Sequence, residues 1–151
     1  MDICDSLHKW TNHLPSFNFP FDASQIPLNG IYVLFEKGEI AHGANRIVRI
    51  GTHTGNNQLR SRLSQHFIVE NKDRSIFRKN IVRALLNRDH DPFLAFWEID
   101  LTSRPKKDKY AEIDLDRQEE IERRVSGYIR DNFSFVVARI DEKAERLMLE
   151  K

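Results

Sequence analysis

Two side chains suited to phosphate chemistry stand one helical turn apart in the first half of the sequence. Arg62 and His66 lie in a segment that apolar residues at every fourth position, Leu59, Leu63 and Phe67, predict to be a helix. An i, i+4 spacing makes the two side chains neighbours. Arginine binds phosphate oxygens through several N–H donors, and histidine can also move protons. The pair therefore indicates phosphate binding, with an exposed arginine beside a surface histidine as the open alternative.

The phase of a helix predicted over residues 115–131 singles out one acidic side chain. Its apolar face consists of Ile121, Val125, Tyr128 and Ile129. At about 100° per residue, Glu122 lies about 75° from the centre of this face, whereas Glu120 lies about 125° away. A carboxylate at the edge of a core can bind a hard cation. A solvated Glu122 that faces a neighbouring arginine is the open alternative.

Asn132 stands between this helix and the strand predicted after it. Asparagine tolerates the left-handed backbone conformation that commonly ends a helix. Its amide could alternatively hold a loop or bind phosphate. Position alone favours the helix cap.

The net charge of +1 conceals a basic middle segment. Residues 45–90 contain ten Lys or Arg and three Asp or Glu. A basic segment in a nearly neutral chain indicates a localised anionic partner, and phosphate is the obvious one. A solvated helix face rich in arginine explains the charge alone equally well.

Turn residues and apolar periodicity divide the chain into strands and helices that position these side chains. We expect strands at residues 30–35, 46–51, 93–101 and 133–140, main helices at 58–69, after Ser75 and at 115–131, and a lysine-rich loop at 102–112. The first two strands are too closely connected for a parallel crossover, so they form an antiparallel hairpin. The order β-β-α-α-β-α-β predicts an α+β (mixed α/β) fold with one small, mainly antiparallel sheet flanked by helices.

Length, composition and absent motifs exclude several classes of protein. A chain of 151 residues suits one domain, which we expect over residues 29–140 between an N-terminal arm (1–28) and a charged tail (141–151). The sequence predicts no membrane span and no signal peptide, so we expect a cytoplasmic protein. A single cysteine, Cys4, excludes an internal disulfide and a cysteine-built zinc site. Walker, HExxH and GxSxG motifs are absent.

The candidate residues form an ordered set along residues 29–140. The set consists of Gly30-Ile31-Tyr32, Arg49-Ile50-Gly51, Arg62 with His66, Glu122 and Asn132. This order resembles the GIY-YIG nuclease family, whose members cut DNA phosphodiesters with a divalent metal, usually magnesium. The resemblance implies a GIY-YIG endonuclease-like fold and a DNA endonuclease that uses Mg²⁺ or Mn²⁺.

The resemblance also implies a role for each position of the motif. Tyr32 would activate or position the attacking water, Arg62 would stabilise charge on the scissile phosphate, and His66 would assist proton transfer or bind phosphate. Glu122 would be the sole protein ligand of the metal, and Asn132 would support the site. Because Mg²⁺ takes only one or two carboxylates and keeps several waters, a single glutamate is sufficient.

Two features depart from the family's pattern. The second triplet begins with Arg49 where the family has tyrosine, and an arginine can bind phosphate but cannot act as a base. Either Tyr32 acts alone or activity is weak or lost, with His53 as a candidate to compensate. Two residues could also occupy the glutamate position of the motif. Glu120 lies twelve residues before Asn132, and Glu122 lies ten residues before it. The helical phase favours Glu122.

The segment over residues 70–101 resembles an insertion into the minimal family core. Arg74 and Arg78 are i, i+4 neighbours and, with Lys79 and Arg83, they predict a basic surface that contacts the DNA backbone. Such contacts give salt-dependent affinity without sequence specificity.

Three hypotheses remain at this point. The first is a metal-dependent DNA endonuclease, and the second is a catalytically silent nucleic-acid-binding module on the same fold, which Arg49 favours. The third is an unrelated interaction protein with a basic surface. RNA as a substrate, a monomer or a homodimer, and a restriction, repair or mobile-element role stay open; in a bacterium we expect association with the nucleoid.

Overall fold

The computed structural model describes residues 2–102 and 112–151, which fall into two compact units. The first unit consists of Met1–Ser64 and Arg130–Lys151, and the second of Gln65–Ile129. The elements are α1 (Ile3–His13), β1 (Phe17–Asn18), β2 (Gly30–Ala41), β3 (Ala44–Gly51), α2 (Leu59–Phe67), α3 (Ile76–Arg88), α4 (Leu94–Trp97), α5 (Leu115–Asn132), β4 (Phe133–Arg139) and α6 (Lys143–Glu150). Two short 3-10 turns cover Ala23–Gln25 and Lys72–Arg74. Most of the expected lysine-rich loop, over residues 103–111, lies outside the described residues.

A four-stranded antiparallel sheet lies in the first unit, with the strand order β1-β4-β2-β3. β2 and β3 form the hairpin that their short connection predicts, although β2 continues to Ala41, well past the expected end. The predicted mixed α+β fold with one small antiparallel sheet is confirmed. β1 was not expected, because a strand of two residues carries no periodic signal. None of the helices in the described ranges has the length and apolar character needed to cross a bilayer.

The register of the sheet determines which side chains share a face. Val33, Phe35 and Val136 form a buried cluster, against which Leu14, Ile47 and Ile50 pack. Successive residues of a strand point to opposite faces. Tyr32 pairs with Gly51, and Leu34 pairs with Arg49. Tyr32 and Arg49 therefore lie together on the face opposite the Val33 cluster.

The second unit is helical, and one prediction for it is wrong. The strand expected at residues 93–101 is absent, and Leu94–Trp97 forms the short helix α4 instead. Phe93 and Trp97 are buried whereas Phe96 is exposed, which is the i, i+4 spacing of a helix face. An uninterrupted apolar run does not distinguish a buried strand from a helix segment. The predicted cap of α3 is confirmed, because Ser75 Oγ accepts a hydrogen bond from the Arg78 backbone N–H at 3.1 Å.

Candidate active site

In the first unit, the hairpin brings Tyr32 and Arg49 together. They are diagonal neighbours on one face of the β2–β3 pair. Nε of Arg49 donates to the hydroxyl oxygen of Tyr32 at 3.4 Å. Tyr32 is completely buried, with an exposed fraction of 0%. Arg49 thus occupies the position expected from the second triplet, and it places a guanidinium beside the tyrosine hydroxyl.

The glycines of the two triplets are positions of close approach. A Cβ on Gly51 would lie 2.3 Å from the hydroxyl oxygen of Tyr32, because the tyrosine ring lies over the Gly51 backbone. A Cβ on Gly30 would lie 2.2 Å from the carbonyl oxygen of Ala138 in β4. Non-bonded atoms do not approach that closely, so each position requires a residue without a side chain. The glycines therefore have a packing role that is independent of catalysis.

The loop after β3 holds the first triplet in place. Thr52 Oγ1 donates to the Gly30 carbonyl oxygen at 2.8 Å, and His53 Nε2 accepts from the Gly30 N–H at 3.3 Å. His53 Nδ1 bonds to the Gly55 carbonyl oxygen at 2.7 Å, so it carries the proton of the neutral ring. Both ring nitrogens are used in this way, which leaves neither to replace the missing tyrosine. Sequence reasoning overlooked Thr52, which no motif marks.

Acid should weaken the fold through His53. Burial, together with the nearby charge of Arg146, lowers the pKa of His53 below its usual 6.5, and the Gly55 bond opposes this shift. Below pH 6.5 the unfolded chain therefore binds more protons at this position than the folded chain, so stability decreases as the pH falls toward the folded-state value. We expect urea unfolding between pH 7.5 and pH 5 to show this loss.

Comparison of variants isolates this contribution from those of the other histidines. His53→Gln should reduce the pH dependence of unfolding, whereas His13→Gln, at an exposed position, should retain it. Equal pH slopes in the wild-type protein and His53→Gln would contradict the assignment.

Arg62 and His66 both belong to α2, as the apolar spacing predicts. Leu59, Leu63 and Phe67 are fully buried, and Arg62 is partly buried. His66 is buried, and its Nδ1 lies 2.7 Å from Ser75 Oγ in the second unit. A histidine that bonds to a serine hydroxyl has a defined ring orientation. Ser75 therefore both caps α3 and holds the His66 ring.

Glu122 lies in the second unit at the edge of the core, where its helical phase predicts it. Its exposed fraction is 4%. Oε1 accepts from the Lys72 backbone N–H at 2.5 Å, and Oε2 accepts from Arg78 Nη2 at 2.8 Å. Glu120 is exposed instead and pairs with Arg117 at 2.7 Å. Of the two candidate glutamates, Glu122 therefore has the buried, hydrogen-bonded carboxylate, and Glu120 has the exposed one.

Arg78 contradicts the expected basic surface, because its side chain is completely buried at 0% exposure. The surface was inferred from an i, i+4 relation between Arg74 and Arg78. α3 begins only at Ile76, however, and Arg74 belongs to the preceding 3-10 turn. The two arginines therefore do not share a helix face.

Arg74, Lys79 and Arg83 remain as candidate contacts with a nucleic-acid backbone. Arg74 is exposed, and Lys79 lies 4.0 Å from Asp73. Arg83 forms a two-pronged pair with Glu98, at 2.6 and 2.7 Å. Both side chains of the Arg83–Glu98 pair are about half exposed, at 47% and 45%, so Arg83 is accessible to a phosphate.

Asn132 lies away from Tyr32 within the first unit. It is the last residue of α5, and the following Phe133 pairs with Glu36 in β2. Glu36 is four residues from Tyr32, which corresponds to about 13 Å along a strand. Asn132 has no positive φ, so it does not form the left-handed cap. It instead lines a cavity of about 260 Å³ together with residues of β2 and β4.

A cavity of about 250 Å³ in the second unit adjoins Glu122. Among the described residues, it is lined by Glu70, Asn71, Asp73, Leu101, Thr102, Leu115, Gln118, Glu119 and Glu122. Gln118 Oε1 is buried and has no hydrogen-bond partner within the described part of the chain. Oε1 of Glu122 accepts the Lys72 N–H and Oε2 accepts Arg78 Nη2, and each of these oxygens has a second lone pair. An oxygen-rich wall with an unused acceptor fits a hydrated divalent cation such as Mg²⁺.

This fit rests on Glu122 and water rather than on a cage of side chains. Within residues 2–102 and 112–151, no group of three or more His, Cys, Asp or Glu is placed to hold a metal. Mg²⁺ commonly binds through one or two carboxylates and retains water for its other positions.

Comparison with protein families gives a match that covers nearly the whole chain. The family model described as GIY-YIG domain matches residues 2–151. Comparisons with curated proteins and with solved structures gave no match. The matched range includes both triplets, the α2 pair, Glu122 and Asn132.

Proposed function

The chain belongs to the GIY-YIG domain family, and from this membership we propose that it is a divalent-metal-dependent endonuclease that hydrolyses DNA phosphodiester bonds. The family consists generally of nucleases that act on DNA and typically use divalent metals, so membership supports a nuclease-type function. The family match over residues 2–151 is the observation that carries the proposal. We place the protein in the cytoplasm, as a monomer or a homodimer.

Hydrolysis adds water across a P–O bond, and each motif residue supplies one requirement of that reaction. Arg62 stabilises the charge that develops on the scissile phosphate. Tyr32 orients or deprotonates the attacking water, and Arg49 donates to the same hydroxyl at 3.4 Å. His66 gives a proton to the leaving oxygen or binds phosphate. Asn132 lies away from Tyr32, so it would support the site only indirectly, from the end of α5.

Glu122 would hold the divalent cation, since the carboxylate is ordered by two hydrogen bonds and adjoins the oxygen-lined cavity. When bound, the cation polarises a phosphate oxygen and makes water more acidic. Arg74, Lys79 and Arg83 would contact the phosphates of the nucleic acid outside the reacting bond.

A catalytically silent nucleic-acid-binding module is the second candidate. Arg49 in place of tyrosine removes one potential base, and the remaining Tyr32 is completely buried. A buried hydroxyl requires movement of the protein before it can reach water. This candidate predicts salt-sensitive binding of DNA without cleavage at any metal concentration.

Plasmid nicking at low salt, with Mg²⁺, Mn²⁺ or EDTA, tests the two candidates. We expect metal-dependent nicking that falls at least about 100-fold in Glu122→Gln, because amide oxygen is a poorer metal ligand than carboxylate. Glu120→Gln is the matched control, since it removes an exposed carboxylate two residues away and should retain activity. Tyr32→Phe tests whether the hydroxyl is required.

Binding without cleavage would favour the silent module. A gel shift in EDTA measures binding separately from cutting. Retention of DNA with no nicking in either metal would contradict the endonuclease proposal, and equal loss in both glutamate variants would contradict the assignment of Glu122.

A further inference from the structure

We propose that Arg78 is a positioning residue that fixes both Glu122 and the end of α2 that carries His66. The inference rests on the proposed function, because it concerns the arrangement in which these two residues would act. It replaces the expectation that Arg78 contacts DNA. Three sets of contacts within the second unit support it.

The first set joins Arg78 to Glu122. Nη2 of Arg78 donates to the carboxylate oxygen Oε2 at 2.8 Å and to the Glu122 backbone oxygen at 3.0 Å. The same nitrogen lies 3.0 Å from Ser126 Oγ, one turn further along α5. The guanidinium therefore bonds to both ends of the Glu122 residue and to the helix that carries it. These contacts leave Glu122 little freedom to change its side-chain conformation.

The second set joins Arg78 to α2. Nη1 of Arg78 donates to the His66 backbone oxygen at 3.2 Å. α2 ends at Phe67, so this carbonyl is among the last four of the helix, which have no partner within it. A cation also interacts favourably with the negative end of a helix dipole. The guanidinium thus supplies a hydrogen-bond donor for a carbonyl at the C-terminus of α2, and this carbonyl belongs to His66, the proposed proton donor.

The third set orients the His66 ring through the start of α3. Ser75 Oγ accepts the backbone N–H of Arg78 and lies 2.7 Å from His66 Nδ1. Arg78 therefore reaches His66 through its backbone as well as through its side chain. The Arg78 side chain therefore bonds directly to the backbone of His66 and to the carboxylate of Glu122, whereas the His66 ring is reached through the Ser75 hydroxyl.

The shape of arginine suits this role better than that of lysine. The planar guanidinium directs its Nη donors to several acceptors at once, whereas an ammonium group is a compact charge on a flexible stem. At 0% exposure, Arg78 has no surface available for phosphate. A DNA contact should change binding, whereas a positioning residue should change the rate of the chemical step.

Steady-state nicking kinetics of Arg78→Lys and Arg78→Met separate these effects. A misplacement of about 1 Å can reduce a rate about 100-fold. We expect kcat to fall about 100-fold in Arg78→Met and less in Arg78→Lys, which keeps the charge beside Glu122. KM and DNA affinity in EDTA should stay within about twofold of wild type. A loss of DNA affinity with unchanged kcat would overturn the inference, as would unchanged kinetics in both variants.

Leu86→Ala controls for a general loss of stability. Leu86 is a buried residue of the same helix, and its truncation leaves a cavity without removing any of the hydrogen bonds of Arg78 described above. Activity is compared per folded molecule, at temperatures where each variant is folded. If Arg78→Met does not fold, Arg78→Lys and Ser126→Ala, which removes one acceptor of Nη2, decide the outcome. An equal kcat loss in Leu86→Ala would overturn the inference.

A spectroscopic measurement keeps the inference separate from the nuclease proposal. Histidine ring resonances are recorded by NMR without metal or DNA, and the His66 signal is assigned with His66→Gln. We expect Arg78→Lys to shift the His66 resonance, whereas Leu86→Ala leaves it in place. If the wild-type protein does not cut DNA, the nuclease proposal fails and this comparison decides the positioning role. An unshifted His66 signal in Arg78→Lys would overturn it.

Discussion

Gly30→Ala is expected to destabilise the protein by about 3–5 kcal/mol, at the upper end of single-substitution effects. The added methyl group would lie 2.2 Å from the Ala138 carbonyl oxygen and 3.1 Å from its carbonyl carbon. These atoms are backbone, so relief requires the two central strands, β2 and β4, to separate at this end of their ladder. The hydrogen bonds of Gly30 with Thr52 and His53 would be disturbed as well. Urea unfolding at pH 7.5 measures the change in the free energy of unfolding.

Gly127→Ala is the matched control for this substitution. Gly127 lies in α5, and a Cβ there would have no atom within 4 Å. Alanine is favoured over glycine within a helix by about 1 kcal/mol, so we expect stabilisation. A loss below about 1 kcal/mol in Gly30→Ala would contradict the close approach of the strands. Destabilisation by both substitutions would indicate a general intolerance of alanine.

Local patterns along the chain were sufficient to predict the framework. The short connection between β2 and β3 predicts their antiparallel pairing, and the apolar phase of α5 places Glu122 at the edge of the core. Ser75 was recognised as a cap because serine accepts the unpaired N–H groups at a helix start. Each of these inferences depends on neighbouring residues in sequence. These features can therefore be predicted from local sequence, without knowledge of the tertiary structure.

The contacts that organise the candidate site depend instead on residues distant in sequence. Arg78 and Glu122 are 44 positions apart. The prediction that Arg74 and Arg78 share an exposed helix face was wrong because Arg74 belongs to a 3-10 turn that precedes α3. Similarly, the Thr52 hydroxyl donates a hydrogen bond to Gly30, which lies 22 positions away, and no sequence motif marks Thr52. The segment around Trp97 was assigned to a strand for the same reason. Tertiary packing decides which of its apolar side chains are buried, and the local sequence does not show those packing partners.

Glu122→Ala is expected to destabilise the protein by about 3–5 kcal/mol, the cost of removing one partner from a buried ion pair. The substitution would leave the guanidinium of Arg78 buried without its carboxylate and would deprive the Lys72 N–H of its acceptor. Loss of nicking in this variant could then arise from unfolding rather than from a missing metal ligand. Thermal and urea unfolding of Glu122→Ala should therefore accompany any measurement of its activity.

Glu122→Gln preserves the shape of the side chain and a carbonyl oxygen that can accept one of the two hydrogen bonds. We expect it to be more stable than Glu122→Ala. Glu120→Ala, at an exposed position, should change stability by less than about 0.5 kcal/mol. In a double-mutant cycle, Arg78→Met should cost less in the Glu122→Gln background than in wild type, because the buried pair is already broken. Additive losses would contradict a direct interaction between Arg78 and Glu122. Only a Glu122→Gln variant that is folded and fails to cut DNA would separate metal binding by Glu122 from its contribution to the fold.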